Sequence, residues 1–152
     1  MEESASDGGQ AHLAAAMLGR AIGDGRQVFG SFFLSRLLGF EVSYENEQCV
    51  VVFEVVPSLF NPQGTLHGGV LATAMDVSMG HLLHHVDGAG TTLEMKLQYL
   101  SPVSHGQVRC EASFLRRGRG ISFLQSHARD ENGCLLAHAT ETWKRLRSTH
   151  PS

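Results

Sequence analysis

Residues 61–76 read NPQGTLHGGVLATAMD, a polar turn that opens through two glycines into an apolar run holding one carboxylate, Asp76. From about Gly68 to His85 the chain lacks proline and is rich in Ala, Leu and Met, too long a segment for a strand. Val70, Leu71, Ala74, Met75, Val77, Met79, Leu82 and Leu83 surround most of its circumference, which predicts a helix buried on nearly all sides. A helix of this kind needs a layer that wraps it, and the flanking sequence supplies one.

Upstream, FEVSY alternates from Phe40, ENEQ is a polar turn, and CVVVFEVVP is a β-branched run ending at Pro57, together a hairpin. Downstream of the turn DGAG, TTLEMKLQYL places Leu93, Met95, Leu97 and Tyr99 on one face and Glu94, Lys96 and Gln98 on the other. GQVRCEASFLRR, ISFLQSHARD and CLLAHATETWKRL follow, joined by the turns RGRG and ENG. Six strands in hairpin order, with one long helix after the second, predict an α+β layout in which a curved antiparallel sheet wraps the helix. AHLAAAMLGRAI and VFGSFFLSRLLGF add short N-terminal helices. Residues 1–10 read as a flexible tail, 11–147 as one domain, and 148–152 as a second tail.

At 152 residues and 42% hydrophobic, the chain can fill one core without a disulfide or metal staple. A net charge of −3 is no field for nucleic acid. Cys49, Cys110 and Cys134 are odd in number and never paired as CxxC, which fits reduced thiols and a cytoplasmic location. MEESASDGGQ is not a signal peptide by composition, and no apolar run reaches the ~18 residues of a membrane span. His81 and His85 lie four apart, but without HExxH or a neighbouring Cys or Asp cluster no metal is expected. No GxSxG marks a serine hydrolase either.

Gly68 and Gly69 stand where the chain enters the helix, so their N–H groups lack intrahelical partners and sit at the positive end of the dipole. Such donors can receive a developing oxyanion, and the missing Cβ lets a substrate carbonyl approach the backbone. Asp76, two turns further on, must be solvated by a cleft, paired or hydrogen-bonded, and in a cleft it is a general base or a nucleophile. Eight residues of helix advance about 12 Å and turn a net of about 80°, too far for one carbonyl to touch both Gly68 and Asp76. A two-fold partner would resolve this: if two subunits pair with their helix starts facing across a dimer axis, Gly68 of one chain and Asp76 of the other can meet at a shared cleft.

Asn61 through Asp76, followed by TTLEMKLQYLSP and LRRGRGISF, resembles the hotdog-fold acyl-CoA thioesterases, in particular the PaaI-like branch, over roughly residues 35–146. The resemblance implies hydrolysis of an acyl-CoA to free acid and CoA, with no cofactor beyond the CoA of the substrate. It also implies a homodimer that pairs into a homotetramer. By the same resemblance Asn61 places water or fixes the loop, His67 contacts the thioester or holds the helix start, and Thr92 hydrogen-bonds water or the carboxylate. Gly69 lies beside the substrate, and Arg116, Arg117 and Arg119 in the RRGRG turn offer forked donors to CoA phosphates. Lys144, Arg145 and Arg147 are a weaker version of that basic site. A non-catalytic acyl-CoA sensor on the same fold is the alternative, and Asp76 discriminates, since a sensor needs a pocket but no base.

Overall fold

The computed structural model describes residues 4–147. Helices α1 (Ser4–Ile22) and α2 (Phe33–Leu38) precede the hairpin of β1 (Glu41–Glu45) and β2 (Gln48–Glu54). A single 3₁₀ turn (Pro57–Leu59) leads to α3 (Gly68–Asp87), after which β3 (Gly90–Tyr99), β4 (Gln107–Arg116), β5 (Ile121–Asp130) and β6 (Leu135–Arg145) complete the chain. All strands pair antiparallel in the order β1-β2-β4-β5-β6-β3, so the expected sheet around one long helix is present and β3 is an edge. Residues 4–10, read above as tail, are helical, because α1 extends back from its Ala-rich half once that half has nucleated. Residues 1–3 and 148–152, the rest of the two expected tails, lie outside the described residues.

The β1–β2 hairpin turns at Asn46 and Glu47, both at positive φ (47° and 63°), the backbone that suits a two-residue turn to the twist of the strands. α3 crosses the concave face of the sheet and buries Leu71, Ala74, Met75, Met79, Leu82 and Leu83. The sheet meets it with Ala112, Ala128, Ala137 and Ala139, all fully buried, and these short side chains let helix and sheet approach closely. Cys49 and Cys110 are also buried there, and burial pushes the Cys49 thiol up to about 12. They are packing groups rather than nucleophiles.

One strand departs from simple alternation. Thr92 pairs with Trp143 and Glu94 with Thr142, so Leu93 is the extra residue of a β-bulge. Leu93 therefore leaves the covered face on which alternation placed it and is 54% exposed, while Thr92 joins Met95 and Leu97 on the concave side. This re-aiming brings Thr92 to the helix.

Candidate active site

The loop before α3 is tied by Asn61. Its Oδ1 accepts from the backbone N–H of Gln63 (2.9 Å) and Thr65 (3.3 Å), and its Nδ2 donates to Thr65 Oγ1 (2.9 Å). Asn61 is thus occupied in fixing the loop. His67 is the N-cap of α3, and its Nδ1 accepts from the Gly69 N–H at 2.9 Å. With Nδ1 as acceptor the imidazole carries its proton on Nε2, and this exposed edge remains free to donate to a ligand. A Cβ at Gly69 would lie 3.0 Å from His67 Nδ1, so the second glycine makes room for the cap.

The cap leaves one donor at the helix start. Among the described residues the Gly68 N–H meets no acceptor, whereas the Gly69 N–H is spent on His67. Of the two amides at the helix start, only that of Gly68 is left without an acceptor among the described residues. Tyr99, which sequence reasoning assigned only to a strand face, packs its ring on this glycine and donates from its hydroxyl to Gly68 O at 2.6 Å. Burial raises the phenol above its ordinary range, so it keeps the proton it donates.

Asp76 is half-buried on α3, and Thr92 Oγ1 donates to its Oδ1 at 3.0 Å. A second carboxyl lies beside it. Glu141, on the concave face of β6 between Ala139 and Trp143, is 2% exposed and accepts a hydrogen bond from Trp143 Nε1. Burial, then the neighbouring Asp76 carboxyl, push Glu141 up to about 9, against the opposing pull of the Trp143 indole. The sequence reading missed Glu141, although strict alternation in ATETW places it on the buried face with Ala139 and Trp143.

Gly68 and Asp76 do not share a cavity within one chain. Gly68 lines a cavity of about 310 Å³ with Asn61, Thr65, Leu71 and Tyr99. Asp76 lines another of about 380 Å³ with Phe29, Phe32, Gly80, His81 and Trp143. A Cβ at Gly80 would lie 2.6 Å from the Trp143 ring, so this glycine seats the indole that walls the second cavity. His81 is also committed there: its Nε2 accepts from the Gly30 N–H at 2.8 Å, and burial holds it below the ordinary imidazole range. His84 stacks on Phe29 and His85 on Tyr44.

The arginines of the β4–β5 turn separate. Arg117 forks onto Asp87 at the end of α3, with Nε 2.8 Å from Oδ2, and this pairing holds the Asp87 carboxyl below its ordinary range. It is a tether between turn and helix. Arg116 is exposed at the end of β4. Arg119 lines a cleft of about 1080 Å³ with Lys144, Arg145 and Arg147, so the turn and the C-terminal strand contribute to one basic surface. Asp87 borders that cleft and lies eleven residues beyond Asp76, about 16 Å along the helix. Among the described residues no helix is long and apolar enough to cross a membrane.

The family model described as thioesterase superfamily matches residues 63–137. Acyl-coenzyme A thioesterase 13 of Mus musculus is 30% identical over 66% of this chain and 75% of its own length. The medium/long-chain acyl-CoA thioesterase YigI of Escherichia coli is 27% identical over 72% of this chain and 83% of its own. A Bacillus halodurans protein solved with CoA superposes with a TM-score of 0.82 at 22% identity, covering 97% of this chain and 99% of that one, a likeness of fold.

Proposed function

The chain belongs to the thioesterase superfamily and is a thioester hydrolase, and we propose that it cleaves an aryl or fatty acyl-CoA to free acid and CoA in a site completed by a second copy of itself. One observation carries the shared site. Thr92 and Tyr99 are seven residues apart on edge strand β3, the first bonded to Asp76 and the second to Gly68. The two groups are thus held toward opposite ends of one edge strand. An unpaired edge of ten residues is a template for another strand. If β3 pairs antiparallel with β3 of a second copy about a two-fold axis midway, Thr92 of each chain comes opposite Tyr99 of the other. Asp76 of one chain then faces Gly68 of its partner, twice per dimer.

In that site the Gly68 N–H, at the positive end of α3, receives the charge that develops on the thioester oxygen. The Asp76 carboxylate removes a proton from water, or attacks the carbonyl itself and is released by water in a second step. Either route ends in a carboxylic acid and the CoA thiol. His67 Nε2–H and the fixed loop of Asn61 border the partner-facing side, and the apolar cavity beside Asp76 accepts the acyl group. Arg119, Lys144 and Arg147 line the basic cleft suited to the phosphates of CoA. Leu115, Ile121 and Phe123, exposed around the β4–β5 turn, are the apolar surface through which dimers pair into tetramers. The low cysteine content and free thiols fit the cytoplasm.

The test is thiol release from short, long and aryl acyl-CoAs by the purified protein. Turnover of at least one class is expected. Binding of acyl-CoA with no thiol released overturns hydrolysis and favours the sensor.

A further inference from the structure

Glu141 has a buried oxygen that accepts no hydrogen bond among the described residues. Its Oε2 accepts from Trp143 Nε1, but its Oε1 is enclosed and meets no partner among the described residues. A carboxylate left so would forfeit solvation without compensation. The group it faces is the Asp76 carboxyl, already held by Thr92. Enclosed and beside another carboxyl, Glu141 is held well above the ordinary carboxylate range and keeps its proton. The residues opposite it on both neighbouring strands are uncharged: Met95 on β3 and Leu124 on β5. The N-terminal loop offers Phe29 and Phe32, and on α3 the titratable group nearest Asp76 along this cavity is His81, already bonded to Gly30.

We propose that Glu141 is a positioning residue for the hydrolysis: as a neutral carboxylic acid it donates from Oε1 to Asp76 and, together with Thr92, holds that carboxylate in its working orientation. This rests on the reading of Asp76 as the working carboxylate. Trp143 has a part in the arrangement, since its N–H occupies Oε2 and so leaves Oε1 to carry the proton. The device has an upper pH limit. Once Glu141 ionises, near pH 9 by the shift described above, the donor is lost and two anions oppose each other beside the substrate. His81 is held below its ordinary range by burial, so its own titration falls on the acid side and does not produce this limit.

The experiment compares kcat/KM against pH for the wild type, Glu141→Gln and Glu141→Met, with ¹³C NMR of glutamate-labelled protein alongside. The Gln amide reproduces both contacts, accepting from Trp143 and donating to Asp76, and it cannot ionise. Glu141→Gln is expected to keep near-wild-type activity at pH 7 and to lose the alkaline decline. Glu141→Met is expected to lose about tenfold or more, the size of one charge-assisted hydrogen bond. In the spectra one glutamate titrates far above the others and moves down in Asp76→Asn. An unchanged alkaline limb in Glu141→Gln, or full activity in Glu141→Met, overturns the proposal. A set of glutamates that all titrate together overturns the carboxyl pair whatever the activity. A displaced glutamate in a protein that releases no thiol supports the pair and overturns the hydrolytic reading instead.

Discussion

Asp76→Asn is expected to lower kcat at least ~10²-fold with little change in KM, the usual loss when a general base is removed. Asn keeps the size of the side chain and an oxygen to accept from Thr92 Oγ1, so α3 retains its packing and the cavity its shape. What disappears is the ability to take a proton from water or to attack a carbonyl. Because the group lies half-buried between Thr92 and Glu141, with no described cation bonded to it, its charge serves no ion pair that the fold requires. Steady-state thiol release checks this, with thermal unfolding to show that the variant is folded. Unchanged turnover removes Asp76 from the chemistry.

Gly68→Val is expected to cost about 10²–10³-fold in kcat, the loss found when one oxyanion donor is removed. A Cβ at this position would stand 3.0 Å from Cζ and Oη of Tyr99, so the new side chain must push the ring away and occupy the approach to the Gly68 N–H. The glycine therefore has a packing role as well as a chemical one, and Tyr99→Phe separates the two. It deletes the bond to Gly68 O without adding a side chain at the amide, and its loss is expected to stay below about tenfold, one neutral hydrogen bond. Steady-state kinetics on both variants decide the matter. Near-wild-type turnover by Gly68→Val assigns the glycine to packing alone.

The helix from Gly68 was legible because apolar residues on all sides of a long proline-free run permit few placements, and the strands were legible because their alternation has a period of two. Thr92 shows where such reading stops. In a regular strand it would share a face with Glu94, and only the bulge at Leu93, a backbone feature with no distinct residue signature here, turns it toward Asp76. The RRGRG turn shows a second limit: three arginines look equivalent in sequence, yet Arg117 is taken by Asp87 thirty residues away and Arg119 joins cations from β6. Glu141 is legible from the alternation of β6. It is a carboxylate on the buried face of a strand, the same anomaly that drew attention to Asp76 on its helix, and its meaning emerges only when tertiary packing sets the two side by side.

That Asp76 works on a substrate polarised by another chain is tested most directly by mixing two inactive variants. Gly68→Val and Asp76→Ala chains carrying different affinity tags are exchanged, and dimers holding one of each are isolated by sequential capture. In such a dimer the intact Gly68 of one chain and the intact Asp76 of the other belong to the same cleft, so about half the wild-type turnover per dimer is expected to return. Isolated mixed dimers as inactive as their parents would place Gly68 and Asp76 in one chain's own site and contradict the account.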